Sequence, residues 1–277
     1  MHFKKKDKFI WIYWHQGWNN APEIIKICRE SWIKKNTEWK VKSLDNNCIN
    51  KYIDIKIKKS ILNTLCIAHQ SDIFRLYLLD KYGGVWVDAS LFCIEPLDNW
   101  IDKYITSGLF MFESNTKLTI MANWFIAAKK NNLLIKKIKL ELTKYWTKNN
   151  FIKNIFLKKL IFKLISPILN FNKITARLWL NPFVRKYIKV YPYQIFYFIF
   201  EKFISENKKY KQIWLKTPRL NKYICWPNQS INKKSNQFIM NKLEEEFIPL
   251  YKLDWRLAKD EKIKENTLIG YLIKNHL

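Results

Sequence analysis

The chain has 277 residues, of which 48% are hydrophobic and 16% aromatic; this is enough for a large folded domain and excludes a mostly disordered protein. Its net charge of +27, from 50 Lys and Arg against 23 Asp and Glu, favours an anionic partner such as nucleic acid, an anionic membrane or a phosphorylated substrate. The five cysteines form no C-x-x-C pair, so no zinc site or disulfide framework is indicated and a reducing cytosol is expected.

The first 65 residues alternate between short apolar strands and helical segments. Residues 8–14, KFIWIYW, predict a buried strand because they are dense in aromatic residues and Ile. Residues 22–35 carry apolar side chains at helical spacing, and residues 38–44 alternate as a second strand does. Residues 46–65 are predicted to be helical with a weak middle.

A helix that is apolar almost all round follows, centred on residues 73–79, and such a helix is expected to be buried. Gly83 and Gly84 supply the backbone freedom that ends it. The strand VWV comes next and ends at Asp88. This order of strands and helices predicts an α/β fold whose sheet is mostly parallel, with helices on both faces.

Beyond residue 100 the alternation is weaker. Residues 107–114 predict a strand, 123–146 a short strand or loop followed by a basic amphipathic helix, and 151–205 mostly helix. Three prolines are expected to break this last segment: Pro167, Pro182 and Pro192. A short helix is predicted at the end of the chain. The longest uncharged runs are about half the ~20 residues that a membrane-spanning helix needs, so the chain is not expected to cross a membrane.

Asp88 lies where a central strand ends. In open α/β sheets ligands bind beyond the carboxyl ends of the strands, and carboxylates are preferred ligands of Mg²⁺ and Mn²⁺. Asp88 is therefore a candidate for holding a metal-bound diphosphate, and the alternative is a turn or helix cap. Asp72 and Arg75 lie three residues apart on the buried helix. They form either a structural ion pair or a nucleotide contact at the same crevice.

Residues 71–90, SDIFRLYLLDKYGGVWVDAS, together with PLD at 96–98, resemble the hallmark segment of bacterial capsular polysaccharide synthesis proteins. Those proteins are similar to the Asp-x-Asp glycosyltransferases of family 32. The stretch IWIYWHQGWNNAPEIIKICRESW also resembles the family's opening strand and first helix, so the resemblance covers residues 8–100. It implies a GT-A fold, a nucleotide-sugar donor such as a UDP-sugar, Mn²⁺ or Mg²⁺, and transfer with retention of configuration.

The resemblance implies that Asp88 is the catalytic aspartate nearest the metal, with Asp72 and Arg75 near the nucleotide. The Asp-x-Asp pattern has a second carboxylate at position 90, where this chain has Ser90. Ser90 can offer a hydroxyl to the metal or to its water but carries no charge, and lysines can neutralise part of the diphosphate instead. Lys252 is a candidate for that role.

Other donor-binding candidates follow the first strand or lie in the hallmark segment. His15, Gln16 and Gly17 end the first strand on the same rim as Asp88 and are expected near the base or ribose. Gly84 is also placed among the donor-binding residues. We predict a GT-A nucleotide-sugar-binding core over residues 1–125. Residues 126–277 are predicted to form a mostly helical, acceptor-side and membrane-facing region that completes the same fold.

The predicted function is hexosyl transfer from a nucleotide-sugar to a growing surface glycan, a lipid-linked capsular or lipopolysaccharide intermediate. The protein is expected in the cytoplasm, at the inner face of the cell membrane. Two alternatives remain: a non-catalytic membrane-peripheral scaffold and a nucleic-acid-binding protein. The second has no helix-turn-helix, zinc spacing or Gly-rich RNA-binding motif to support it, so no nucleic-acid partner is expected.

Residues 151–205 predict an anionic membrane surface as a partner. This segment places four lysines among Ile, Phe and Leu: Lys153, Lys158, Lys159 and Lys163. A basic amphipathic helix of this kind can lie in the headgroup plane of a membrane. The alternative is that these helices pack on the core as a lid on the acceptor side, with their lysines solvated.

Overall fold

The computed structural model describes residues 3–152, 154–225, 241, 245–258, 263 and 265–277. A five-stranded sheet in the order β2-β1-β3-β6-β5 forms its centre, and β4 pairs with β7 in a second, two-stranded sheet. The strands are β1 (Phe9–Tyr13), β2 (Lys40–Leu44), β3 (Gly84–Asp88), β4 (Leu91–Cys93), β5 (Leu109–Glu113), β6 (Met121–Ala128) and β7 (Leu250–Lys252).

Helices cover both faces of the main sheet. In the described part of the chain the α-helices are α1 (Glu23–Lys35), α2 (Lys59–Leu62), α3 (Ile67–Tyr82), α4 (Ile101–Tyr104), α5 (Leu133–Thr147), α6 (Ile155–Leu169), α7 (Lys173–Ala176), α8 (Ile195–Glu206), α9 (Lys208–Leu215) and α10 (Leu268–His276). No helix among the described residues is long and apolar enough to span a bilayer.

The sheet separates two hydrophobic cores, and the central strands contribute to both. Ile10 and Ile12 of β1 enter the core that contains α1, whereas Trp11 and Tyr13 enter the core that contains α3 and α5. Successive side chains of a strand point to opposite faces, and a strand covered on both faces reads as a continuous apolar run. This explains the density of large apolar residues in KFIWIYW.

The α/β class is confirmed, and the sheet is consistent with the GT-A fold that the resemblance implied. The prediction of a mostly parallel sheet is corrected to a mixed one. β2, β1 and β3 pair in parallel, but β6 pairs antiparallel with both β3 and β5. The parallel half contains the predicted strands 8–14 and 38–44 and the strand that ends at Asp88, so the carboxyl ends of these three strands meet at one edge.

Two local predictions are wrong. The segment 46–65 contains only a short 3₁₀ turn and the four-residue α2. In its middle the backbone N–H of Lys56 donates to the Tyr77 hydroxyl, so a tertiary contact replaces the helical hydrogen bond. Pro167 lies inside α6 and does not break it. It lies near the end of an exposed helix, where water can satisfy a carbonyl that lacks its intrahelical partner.

The C-terminal part of the chain returns to the N-terminal part through β7. Leu91 of β4 lies opposite Lys252 of β7 in an antiparallel pair, and the Leu253 amide donates to the Ser90 carbonyl. This pairing carries residues 250–256 to the end of β3. The division at residues 125 and 126 stays a prediction, and β6 runs across it.

Candidate functional site

A cavity of about 890 Å³ opens at the carboxyl ends of β1 and β3. It is lined by the residues that follow β1, one face of α3, the end of β3, the start of β6, the beginning of α8 and residues 252–256. Its volume lies in the range of about 300–1,000 Å³ that small-molecule sites occupy, and the edge of the sheet is where α/β proteins bind ligands.

The turn between α3 and β3 aligns the charged side chains of the cavity. Gly83 and Gly84 have φ of 72° and 94°, in the left-handed region that favours glycine. A Cβ on Gly84 would also lie 2.4 Å from the Phe9 carbonyl oxygen. Measured from this turn, Arg75 lies about 10 Å away along α3 and Asp88 about 13 Å away along β3. The two residues are therefore at similar distances from the turn, and their side chains meet.

The same geometry corrects the prediction that Gly84 binds the donor. Gly84 begins β3, at the end of the strand opposite Asp88, and does not line the cavity. Gly84 is needed there for close packing of β3 against β1. Gly17 also lies outside the cavity, in the turn behind the rim, whereas His15 and Gln16 line it. The His15 Nδ1 and the Tyr13 hydroxyl share a 2.9 Å hydrogen bond.

Arg75 joins two carboxylates. Its guanidinium donates to Asp72 Oδ1 at 2.6 Å and to Asp88 Oδ1 at 3.2 Å. Trp86 Nε1 donates to the same Asp88 oxygen at 3.0 Å. Arg75 is 4% exposed and lies over the ring of Trp86, whereas the Asp88 side chain is 29% exposed and faces the cavity. Arg75 is thus a buried cation that positions Asp88. The structural ion pair with Asp72 is observed, and the contact of this pair with a nucleotide stays a prediction.

Asp72 is held from the other side by residues that the sequence did not indicate. Asn123 Nδ2 donates to Asp72 Oδ1 at 2.8 Å, and the Tyr197 hydroxyl donates to Asn123 Oδ1 at 2.5 Å. Burial, and next the charge of Asp72, raise the pKa of Tyr197 above its usual value, so its hydroxyl remains a donor. These contacts connect β6 and α8 to the buried ion pair.

His69 adds a positive charge behind Asp72. Its Nδ1 lies 3.8 Å from Asp72 Oδ2, too long for a hydrogen bond but short enough for an ion pair. Burial alone would lower the pKa of His69, but Asp72 and Cys66 raise it to about 9. Its ring also packs 5.0 Å from that of Trp146. The raised pKa favours the protonated imidazole, which offsets part of the negative charge of Asp72.

Lys252 contacts both residues of the predicted metal pair. Its Nζ donates to Ser90 Oγ at 2.7 Å and to Asp88 Oδ2 at 3.3 Å. The β4–β7 pairing explains this position, because it places Lys252 opposite Leu91, next to Ser90. The charged side chains that line the cavity are three Asp and five Lys or Arg, so the cavity is positively charged without any contribution from His69. A positively charged pocket of this kind suits an anionic ligand.

Asp88 and Ser90 do not fit Mn²⁺ or Mg²⁺ as they are arranged. The Lys252 ammonium lies between them, and a divalent cation at the same place would be repelled by it. The described residues contain no group of three or more His, Cys, Asp or Glu side chains that could hold a metal. The metal stays a prediction, and no step proposed below depends on it.

Two tryptophans line the cavity on the side of β1. Trp14 and Trp255 meet edge to face, with ring centroids 5.3 Å apart. Trp14 is partly exposed, whereas Trp86 is fully buried. Trp86 belongs to the core that contains α3, and Trp14 packs on the core that contains α1; both also line the cavity. Aromatic rings at the rim beside His15 and Gln16 are suited to contact with a nucleobase or sugar.

Comparison with known proteins finds a matching family and several similar glycosyltransferases. Residues 1–181 match the family described as capsular polysaccharide synthesis protein. The chain is 29% identical over 151 residues to the O-glycosyltransferase braB of Annulohypoxylon truncatum and 31% identical over 154 residues to the O-glycosyltransferase PaGT of Phomopsis amygdali. These matches cover 47% and 48% of this chain but only 36% and 38% of the two fungal proteins. The chain thus spans little more than a third of their length.

A solved structure, the PaToxG glycosyltransferase, aligns with 75% of this chain and 86% of its own. The TM-score is 0.36 and the sequence identity 21%.

Proposed function

The chain belongs to the capsular polysaccharide synthesis protein family, and from that premise we propose that it transfers a hexosyl group from a nucleotide-sugar, a UDP-sugar, to a surface glycan. The observation that carries the proposal is the cluster of Asp88, Arg75 and Lys252 at the strand ends, inside a cavity of nucleotide-sugar size. Glycosyl transfer by several relatives supports the reaction class.

The reaction requires that negative charge be stabilised on the departing nucleoside diphosphate. The acceptor hydroxyl forms a bond to C1 of the sugar, the bond from C1 to the diphosphate oxygen breaks, and the acceptor proton leaves with the diphosphate or to solvent. Lys252 has three N–H donors, of which Asp88 and Ser90 take two. We assign the third to a diphosphate oxygen, where a fixed cation lowers the energy of the transition state.

Asp88 has a positioning role as well as a direct one in this proposal. One of its oxygens accepts from Arg75 and Trp86, and the other accepts from Lys252. The carboxylate therefore holds Lys252 at the place where the leaving group departs. Since its side chain faces the cavity, Asp88 also accepts a hydrogen bond from a hydroxyl of the donor sugar. Retention of configuration follows from the resemblance to family 32 and is part of the proposal.

A panel of UDP-, GDP-, CMP- and dTDP-sugars tests the proposal through the melting temperature of the protein. A ligand that binds only the folded state raises the melting temperature, by an amount set by its concentration relative to Kd. We expect a shift with one nucleotide class and slow release of the free nucleoside diphosphate from that donor. If no donor shifts the melting temperature and none is hydrolysed or transferred, the proposed function is wrong.

A further inference from the structure

A large apolar surface lies outside the cavity, on α6 and the residues that follow it. Twelve of the nineteen large apolar side chains that are exposed in the described chain lie within residues 155–193. Phe156, Leu160, Leu164 and Ile168 recur at intervals of four residues and are 48–78% exposed, so they form one stripe along α6. Exposed apolar side chains that are scattered singly are ordinary, but a contiguous patch indicates an interaction site.

The opposite face of α6 already packs on the core. Ile161, Phe162 and Ile165 are partly buried against it, and Phe162 stacks on Trp179 with ring centroids 5.5 Å apart. The lid alternative accounts for this inner face of α6. It does not account for the outer stripe, which the described part of the chain leaves exposed.

The apolar patch continues beyond α6 to the mouth of the cavity. Phe171 and Ile174 are exposed, and the Lys117 ammonium lies 4.6 Å from the centre of the Phe171 ring. Lys117 itself lines the cavity, and so does the exposed Tyr193. A partner that covers the patch would therefore lie beside the opening through which an acceptor enters.

The charge around the patch identifies the chemistry of this partner. Residues 142–200 contain eleven Lys and Arg and no Asp or Glu. Lys159 and Lys163 are exposed on α6, next to the stripe. Lys158 is different, because its ammonium packs 3.5 Å from the centre of the Tyr191 ring and burial lowers its pKa. Lys153 lies outside the described residues. Arg177 is paired with Glu201, to which it donates two hydrogen bonds of 2.8 Å, but Lys and Arg still outnumber Asp and Glu around the patch. A surface that is both apolar and predominantly cationic is complementary to an anionic lipid bilayer.

We propose that the surface of residues 155–187 docks on an anionic bilayer, with the α6 stripe inserted among the acyl chains and the lysines at the phosphates. The docked protein holds the cavity mouth at the headgroup level. There it reaches an acceptor anchored in the same membrane. This last step rests on the proposed function, whereas the docking does not. A second copy of this chain is disfavoured as the occupant, because two surfaces of the same positive charge repel each other.

Co-sedimentation with vesicles of phosphatidylglycerol or of phosphatidylcholine tests the docking. We expect binding to phosphatidylglycerol at low salt, at least tenfold weaker binding to phosphatidylcholine, and loss of binding near ~0.5 M NaCl, where surface charges are screened. The double variant Leu164→Glu/Ile168→Glu should lower binding at least tenfold. The matched control is Leu140→Glu/Leu215→Glu, which changes two exposed apolar residues of other helices by the same charge and should bind as wild type.

Circular dichroism and the melting temperature check that both double variants fold, which is expected because all four side chains are exposed. Equal binding to the two kinds of vesicle, or no binding to either, would overturn the proposal. The proposal would also be overturned if the wild-type protein bound no lipid but formed a dimer that Leu164→Glu/Ile168→Glu does not form. The patch would then join two copies of the chain. Donor hydrolysis without vesicles, measured on the same preparations, reports on the proposed function separately.

Discussion

The two ends of the chain contribute differently to the cavity. The hallmark segment, residues 71–90, supplies Asp72, Arg75 and Asp88 from a buried helix and a central strand, and each charge has a partner within the segment. The C-terminal segment, residues 250–256, supplies Lys252 from a three-residue strand that pairs with β4. The first segment is close to electrically neutral. The cation nearest the predicted leaving group therefore comes from the second.

This difference indicates a division of roles. The hallmark segment acts as a rigid frame, because Asp72 and Arg75 are buried and cannot change partners without a large energetic cost. The C-terminal segment completes the frame with a charge that binds the donor. Substitutions in the frame should therefore affect both folding and activity, whereas a substitution of Lys252 should affect activity alone. The exception within the frame is Asp88, whose side chain is partly exposed.

The largest effect is expected from Asp88→Asn. The amide cannot hold Lys252 and Arg75 as a carboxylate does, so transfer should fall about 1,000-fold, the upper range for loss of one preorganised electrostatic group. The melting temperature should change little. Transfer or donor hydrolysis measures the effect, and Asp54→Asn, on the exposed Asp54–Lys56 pair, is the matched control. A folded Asp88→Asn protein with full activity would remove Asp88 from the site.

Arg75→Ala should destabilise the protein by about 3 kcal/mol, because it leaves Asp72 without its buried ion-pair partner. Urea denaturation measures the free energy of unfolding. The control for stability is Arg256→Ala, which breaks an exposed pair with Asp254 and should cost less than about 1 kcal/mol. Equal stability losses in the two variants would show that the hallmark segment is not a buried frame.

The frame could be predicted from the sequence because its parts are close together in the chain. Asp72, Arg75 and Asp88 fall within 17 residues, and the helix, the glycine turn and the strand between them each have a local pattern. The strands β1, β2 and β3 and the helix α1 were also found within a few residues of their observed bounds. Local periodicity was sufficient for each of these elements.

The rest of the site depends on contacts that local patterns do not contain. Asn123 is 51 residues from Asp72, and Lys252 is 162 residues from Ser90. β6 was predicted only as a short strand or loop, since a strand buried on both faces has no alternation to reveal it. Its antiparallel pairing with β3 made the sheet mixed. Gly84 was predicted to bind the donor because it lies in the hallmark segment. Its close packing against Phe9 explains why a glycine is needed at this position.

Lys252→Ala tests the role of the C-terminal segment. Transfer should fall about 100-fold, through loss of one cation at the leaving group, with little change in the free energy of unfolding. Lys208→Ala, an exposed lysine on α9, is the control.

The metal prediction is tested with the same pair of proteins. If Lys252 supplies the charge at the leaving group, wild-type transfer should persist in EDTA. The residual activity of Lys252→Ala should then rise on addition of Mn²⁺, because Asp88 is free to bind it. If wild-type transfer is lost in EDTA and regained with Mn²⁺, a metal displaces Lys252 and the original prediction for Asp88 and Ser90 holds.

The smallest effect concerns His69, which supports the frame from behind. Its pKa is raised from the usual 6.5 to about 9, since Asp72 and Cys66 outweigh the effect of burial. A group whose pKa is higher in the folded state contributes stability that is fully present below pH 6.5 and is lost as the pH rises through about 9.

The full shift corresponds to about 3 kcal/mol, at about 1.4 kcal/mol per pKa unit. Without the contribution of Cys66, we expect the free energy of unfolding to fall by on the order of 1–2 kcal/mol between pH 6.5 and 9.5, and this fall to be absent from His69→Gln. Cys66 titrates beside His69, and its own pKa is lowered by that neighbour although burial opposes this. Both proteins are therefore compared in a Cys66→Ser background, which removes the thiol. If urea denaturation shows the same pH dependence with and without His69, the imidazole is neutral in the folded protein. Asp72 would then be balanced by its ion pair with Arg75.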